Sequence, residues 1–206
     1  MKYNPVMHHR RSIRLKGYDY SQAGLYFITI CVKDRQYLFG EVKNQKMRLH
    51  DSGKIMEKWY DKLPHKFNDI RCHEMVVMPN HFHCIIENVI RADPRVCPDD
   101  DKTSGNDLIL GENNSIPAGR DPIPGEHNPI LGEHVGSPLH RVVQWFKTMT
   151  TNEYIRGVKN NGWPPFNGKL WQRNYYEHII RHEKAYENIA NYILRNPARW
   201  PEDQLR

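Results

Sequence analysis

The part of the sequence that most constrains the fold lies between Cys72 and Glu87, where two apolar runs are separated only by Met78-Pro79-Asn80. Each run is rich in β-branched and apolar residues, which favours a strand, and the short polar break between them favours a turn. The segment CHEMVVMPNHFHCIIE therefore predicts a β-hairpin, against which the rest of the chain has to pack.

The elements around this hairpin alternate between strand-like and helix-like patterns. The segment LYFITICVK predicts a first strand, because β-branched and aromatic residues alternate along it. Two helices are predicted with caps at Asp51 or Ser52 and at Ser137, and NYYEHIIR predicts a further strand before a last helix that stops at Pro197. The order strand, helix, strand, strand, helix, strand, helix predicts an α+β domain with a ferredoxin-like antiparallel sheet and helices on one face.

Residues 88–137 interrupt this order and show no helical or strand periodicity. Ile109, Ile116, Ile123 and Ile130 mark a degenerate seven-residue repeat, clearest in IPGEHNP followed by ILGEHVG. Proline and glycine within each unit exclude a coiled-coil seam. We predict a low-complexity, disordered insertion without chemistry, which splits a single domain formed by residues 1–87 and 138–206.

Composition narrows the cellular setting and the class of partner. The 30 Lys and Arg residues outnumber the 24 Asp and Glu residues, and the net charge of +6 favours a polyanionic partner. The chain has no apolar stretch of the roughly 18 residues that a membrane span needs, and its first residues lack the apolar core of a secretion signal. The four cysteines form no CxxC pair. We therefore expect a cytoplasmic protein without disulfides or a cysteine zinc site.

The second strand of the hairpin carries two histidines, His81 and His83, with one residue between them. Because side chains alternate along a strand, both histidines share one face, while Phe82 points to the other face and packs on the helices. Their Cα atoms should lie about 7 Å apart, close enough for both imidazoles to bind one cation. The histidine face is expected to be open. A pair of solvent-facing strand residues is the alternative.

The last predicted helix supplies a second pair of polar residues. Tyr192 and Asn196 are four positions apart and therefore lie on one side of that helix, next to its apolar stripe. They would border the buried face, where a cleft can form. Packing of the tyrosine and an ordinary helix stop before Pro197 are the alternative explanations.

Three segments together resemble a known family. MVVMPNHFHCII, FKTMTT and LWQRNYYEHIIRHEKAYENIANYILRNPARW resemble the REP-associated tyrosine transposases, a branch of the single-tyrosine HUH transposases of the bacterial insertion-sequence type. The resemblance covers residues 10–87 and 138–200 and leaves out the insertion, which departs from the family's pattern.

The resemblance implies a role for each matched residue. His81 and His83 correspond to the HUH metal ligands, Tyr192 to the nucleophile and Asn196 to the residue that completes the metal site. It implies metal-dependent cleavage and strand transfer of single-stranded DNA through a 5′-phosphotyrosine, with palindromic REP-like hairpins as the leading substrates. Mg²⁺ or Mn²⁺ is the expected ion. Tyr175 and Tyr176 fall in the strand before the helix and are not expected to be the nucleophile.

DNA contacts are expected from exposed cations and aromatic residues, since cations bind phosphates and Trp171 can stack on an unpaired base. The candidates form a basic N-terminal arm, one position on the second helix and a cluster around the last strand: Arg10, Arg11, Arg14, Lys16, Lys147, Trp171, Gln172, Arg173 and Arg181. A solvated surface charge is the alternative for each single cation.

Several alternatives stay open at this point. A non-catalytic single-stranded nucleic-acid-binding module could use the same sheet, and a zinc hydrolase of small substrates could use the histidine pair. The sequence does not identify the general base for the tyrosine, for which a metal-bound water and a histidine such as His178 are the candidates. The protein is expected to be a monomer or a homodimer, and the short connection before the last helix favours a site formed within one chain.

Overall fold

The structure is a computed structural model that describes residues 18–89 and 137–205. The strands are β1 (Gly24–Cys31), β2 (Gly40–Lys43), β3 (Lys46–Leu49), β4 (Ile70–Val77), β5 (His81–Asn88) and β6 (Tyr176–Ile180), and the helices are α1 (Asp51–Asp61), α2 (Leu63–Lys66), α3 (Leu139–Asn161) and α4 (Glu183–Arg195). Short 3₁₀ turns cover Lys33–Arg35 and Asn196–Glu202. The predicted insertion lies outside the described residues apart from its two ends, as do the arm residues Arg10, Arg11, Arg14 and Lys16.

Four strands form an antiparallel sheet in the order β4-β5-β1-β6. Strand β5 lies between β1 and β4, so β1, α1 and β4 form a split β-α-β unit. The predicted α+β class with a ferredoxin-like antiparallel sheet is confirmed. The small β2-β3 hairpin was not predicted, because its strands are short and mostly polar. Asn44 and Gln45 form its turn with positive φ angles of 53° and 61°, as two-residue hairpin turns require.

One face of the sheet carries the main core. Tyr26, Ile28 and Ile30 of β1 and the even-numbered residues of β5 are fully or almost fully buried on this face. The ring of Phe82 stacks on Phe146 of α3 with ring centroids 5.1 Å apart. Helices α1 and α3 thus cover this face, as the apolar alternation predicts.

The opposite face is covered by α4, which corrects the expectation that it is open. Ile85 and Ile180 of the sheet form a second apolar cluster with Ala190 and Ile193 of α4. The apolar side chains of α4 are buried by packing against other apolar side chains, which lie at the edge of the histidine face. Helices therefore lie on both faces, and α4 runs next to the two histidines.

The two ends of the predicted insertion are held together by buried polar groups. The carboxylate of Asp69 accepts hydrogen bonds from the backbone N–H and the hydroxyl of Ser137, and its backbone carbonyl accepts from Val89 N–H at 2.8 Å. Asn88 Nδ2 donates to the carbonyl of Ser137 at 3.1 Å. The chain therefore leaves and re-enters the domain at one point.

Because these ends meet, we expect the domain to fold without residues 91–135. Replacing that segment with a short Gly-Ser linker should leave the free energy of unfolding unchanged or slightly higher, since halving a loop lowers its closure cost by about 0.6 kcal/mol. Chemical denaturation followed by circular dichroism measures this. Asp69→Ala in the shortened chain is the control and should be destabilising, because it leaves the Ser137 donors unpaired. A shortened chain that does not fold would contradict the prediction.

Candidate active site

His81 and His83 stand at the beginning of β5, where the strand pairing fixes their direction. His81 pairs with Cys31 and His83 with Thr29 of β1, and the two imidazole centroids lie 4.5 Å apart. Both side chains are buried, with 0% and 2% of their surface exposed. The prediction that they share a face is confirmed. The expectation that this face is open is wrong, and the alternative of a solvent-facing pair is excluded too, because α4 and the segment after it cover both histidines.

Hydrogen bonds orient both imidazoles. Nδ1 of His81 lies 2.7 Å from Oδ1 of Asn80, and because a carboxamide oxygen only accepts, Nδ1 donates and Nε2 keeps its lone pair. Nδ1 of His83 lies 2.7 Å from the hydroxyl of Thr29, which can accept in the same way. Such second contacts are typical of histidines that bind metal through Nε2.

Burial also sets the charge of this pair. Loss of solvation lowers the pKa of His81 to about 4 against a weaker opposing effect of Asp203. Burial, followed by the neighbouring His81, lowers the pKa of His83 well below its usual value. Both imidazoles are therefore neutral near pH 7, which is the form that binds a metal ion.

A third ligand candidate, Asp203, comes from the segment after α4 and was not predicted. Ligand atoms of Asp203, His81 and His83 all lie within 4.8 Å of one another. The segment is held by Asn80, whose Nδ2 donates to the carbonyl of Leu205 at 2.7 Å, and by the guanidinium of Arg35, which donates to the carbonyl of Gln204 at 2.8 Å. No sequence signal marks Asp203, since it follows Pro201 in an irregular stretch without periodicity.

Three buried polar atoms in this region have no hydrogen-bond partner among the described residues: Nε2 of His81, Oδ1 of Asn196 and Oδ2 of Asp203. Buried polar atoms are almost always paired, so a group of unpaired lone pairs marks a site for a missing cation or water. Asn196, His83 and Asp203 line one cleft of about 630 Å³. Two imidazoles, a carboxylate and an amide oxygen fit a divalent ion of the Mn²⁺ or Mg²⁺ type.

Tyr192 of α4 projects into the same cleft. Its hydroxyl lies 3.4 Å from Nε2 of His83, and its ring meets those of His83 and Phe27 edge-on, with centroids 5.4 and 6.0 Å apart. The side chain is 36% exposed. Burial, followed by the charge of Asp203, raises the pKa of Tyr192, while a hydrogen bond from Asn196 and the charge of Arg199 lower it.

The other two tyrosines considered in the sequence separate onto the two faces of the sheet. Tyr176 lines the cleft beside Tyr192 and is 56% exposed, whereas Tyr175 is buried on the α3 side. His178 is exposed and is not among the residues that line the cleft. Among the tyrosines that the structure describes, Tyr192 is the one whose hydroxyl contacts the histidine pair.

The predicted DNA-binding residues near β6 differ in their placement. Trp171 is 5% exposed and donates from Nε1 to the hydroxyl of Thr150 at 3.0 Å, so the expected base stacking on Trp171 is contradicted: its indole completes the core. Lys147 is not a free cation either, because its Nζ donates to backbone carbonyls of residues 172–174. Arg173 and Arg181 are exposed, and Gln172 is half-buried.

Comparison with known proteins gives one extensive sequence match. The chain is 37% identical over 207 aligned positions to an uncharacterized protein of Haemophilus influenzae strain Rd, with 99% of this chain and 97% of that protein covered. The chain belongs to the same family as this Haemophilus influenzae protein. Comparison with models of protein families gives no match.

Comparison with solved structures gives two matches at low sequence identity. One is a REP-associated tyrosine transposase bound to a REP hairpin, with a TM-score of 0.49, 15% identity and coverage of 93% of this chain and 74% of that one. The other is a candidate transposase from Deinococcus radiodurans, with a TM-score of 0.39, 14% identity and coverage of 89% and 96%. The first of them belongs to the family that the sequence motifs resemble. Among the described residues, no helix has the length and apolar character needed to cross a membrane.

The unpaired carboxylate oxygen of Asp203 leads to a prediction about metal binding. In Asp203→Asn the charge is lost while the size is kept, so we expect Mn²⁺ affinity measured by isothermal titration calorimetry to fall about tenfold or more. Glu202→Gln removes the same charge from the exposed neighbouring residue and should leave the affinity nearly unchanged. An equal loss in both variants would contradict ligation by Asp203.

Proposed function

We propose that the protein cleaves and rejoins single-stranded DNA, with Tyr192 as the nucleophile and a divalent ion at the histidine pair. The observation that carries this proposal is the contact between the Tyr192 hydroxyl and His83, 3.4 Å long, beside three buried polar atoms without a partner. A metal ion next to a tyrosine hydroxyl in an open cleft suits attack on a phosphodiester.

His81, His83 and Asp203 would hold the ion, with the carboxamide oxygen of Asn196 as a fourth ligand. When bound, the ion polarises the scissile phosphate and stabilises the charge of the transition state. Imidazole ligands favour Mn²⁺ over Mg²⁺ in intrinsic affinity, and the oxygen ligands suit both.

The residues of the chain supply the nucleophile and the positions of the substrate. Nε2 of His83 has one lone pair, so an ion bound there would displace the hydrogen bond from the Tyr192 hydroxyl and leave that hydroxyl available to substrate. The hydroxyl releases its proton to water in the open cleft as its oxygen forms the bond to phosphorus. The bond to the 3′ oxygen of the preceding nucleotide breaks and that oxygen takes up a proton, which gives a 5′-phosphotyrosine and a 3′-OH. Arg35 and Arg199 line the same cleft and can bind the flanking phosphates.

Hairpin DNA is the substrate class that we infer. The sequence motifs resemble the REP-associated transposases, and the related solved structure contains a REP hairpin. A net charge of +6 is consistent with a polyanionic substrate. Tyr192, the histidine pair and Asp203 meet within one chain, so the proposed nucleophile and metal ligands come from a single monomer.

The nucleophile can be tested by trapping the covalent intermediate. With Mn²⁺ and a DNA hairpin that carries a single-stranded extension, a 3′ label should become attached to the protein, whereas a 5′ label should appear on a freed fragment. Denaturing gel electrophoresis separates the two products. We expect Tyr192→Phe to abolish the adduct because it removes the attacking oxygen.

Tyr176→Phe is the matched control, since Tyr176 lines the same cleft without contacting the histidines, and it should retain the adduct. Loss of the adduct in Tyr176→Phe alone would assign the nucleophile to that residue and contradict the proposal. DNA binding without an adduct in the unmodified protein would favour the alternative of a non-catalytic binding module.

A further inference from the structure

A second groove lies on the other face of the sheet, between α3 and the chain that leads into β6. It has a volume of about 830 Å³. Its floor is apolar and buried, formed by Val143, Leu170 and Trp171. The active-site cleft shares no lining residue with it.

The walls of this groove carry donors and cations. Exposed Lys169 and Arg173 lie on the side of the incoming chain. Within the described parts of the chain, the lining of this groove includes no Asp or Glu. Glu153, the one acidic residue of α3, instead accepts hydrogen bonds from Lys58 and Trp59 of α1. The groove is therefore suited to an anion and has no charge that would repel one.

The α3 wall is a row of polar side chains with helical spacing. His140, Gln144, Thr148 and Asn152 follow one another at four-residue intervals, and all four are exposed. At 1.5 Å per residue the row is roughly 18 Å long. One strand of B-form DNA places about five phosphates in that distance. The imidazole and amide groups can donate to phosphate oxygens, whereas the hydroxyl of Thr148 donates to the carbonyl of Gln144 at 2.9 Å.

Lys147 fixes the shape of the opposite wall. Its Nζ donates to the carbonyls of Gln172, Arg173 and Asn174 at 2.9, 3.3 and 3.3 Å. With all three donors used on the backbone, Lys147 holds residues 172–174 against α3 and leaves Arg173 directed to the groove. Lys147 is thus a positioning residue for this wall.

The two depressions meet at β6, which is the edge strand of the sheet. Tyr175 lines the α3 groove and Tyr176 lines the active-site cleft. Since neighbouring residues of an extended chain point to opposite faces, the two tyrosines mark the two sides of one edge. A strand that passes over this edge can occupy both sites.

We propose that the α3 groove binds the phosphate backbone of the DNA substrate and that the DNA continues around the β6 edge to the active-site cleft. This inference rests on the proposed function for its choice of DNA as the ligand. It assigns to Lys169, Arg173 and Gln144 the binding of backbone phosphates that lie away from the reacting one.

Binding without metal tests the groove separately from catalysis. The probe is a fluorescein-labelled DNA hairpin with a single-stranded extension, followed by fluorescence polarisation in EDTA at several salt concentrations. Two variants change the net charge of the groove by the same amount from its two walls: Lys169→Gln with Arg173→Gln, and Gln144→Glu with Thr148→Glu. We expect each to lower affinity about tenfold or more and to reduce the slope of log K against log salt by about one for each lost phosphate contact.

The control is Arg141→Gln with Arg156→Gln, which changes the net charge of the protein equally at two exposed positions of α3 that do not line the groove. Because all the substituted positions are exposed, thermal unfolding should be similar for all three proteins. The proposal would be overturned if both groove variants bound DNA with the same affinity as the control. This holds whether all three bind like the unmodified protein or all three lose affinity to the same extent.

Catalysis distinguishes this inference from the proposed function. With Mn²⁺, the groove variants should need higher DNA concentrations for half-maximal adduct formation and reach the same maximal rate, because the reacting groups are unchanged. Suppose that the unmodified protein forms no adduct and that only the groove variants lose affinity for DNA. The proposed function would then be contradicted, while DNA binding in the α3 groove would be supported. If the adduct formed and the groove variants bound and reacted like the control, the groove assignment alone would fail.

Discussion

The pairing of β1 with β5 is the interaction on which the rest of the structure depends. Its register places Thr29 opposite His83 and thereby gives that imidazole a hydrogen-bond partner on the neighbouring strand. The same register sends Phe82 into the main core and Ile85 toward α4. A shift by one residue would exchange the two faces and bury the wrong side chains on each. The sheet thus supports packing and chemistry through one set of backbone hydrogen bonds.

The candidate site is arranged at the expense of local stability. One imidazole nitrogen, Nε2 of His81, is withdrawn from water without a hydrogen-bond partner among the described residues, as are the amide oxygen of Asn196 and one carboxylate oxygen of Asp203. Such groups are unfavourable in a folded protein unless a cation or a substrate satisfies them. Apolar packing of Ile193 on the sheet and the hydrogen bonds of Asn80 and Arg35 to the last turn offset this cost. Asn80 therefore does two things, since it orients His81 and also holds the last turn in place.

Sequence periodicity predicted the central strands, the long helices and the shared face of His81 and His83, because all of these depend on local alternation. It could not tell that α4 covers the histidine face, since alternation separates two faces without saying what packs on each. Asp203 was not predicted because it lies in an irregular segment whose sequence has no helical or strand periodicity. The sequence analysis predicts that Trp171 stacks on an unpaired base, whereas its indole packs against Phe39 and Phe146 in the core. Residues placed by long-range packing are the ones that local patterns miss.

The order of the site residues along the chain has a consequence for synthesis. The histidines lie on β5, but Tyr192, Asn196 and Asp203 follow β6, whose partner β1 is near the other end of the described chain. Proteins are made from the N-terminus and pair distant strands late. A nascent chain therefore contains the histidine pair well before Tyr192, and the two come together only once β6 pairs with β1.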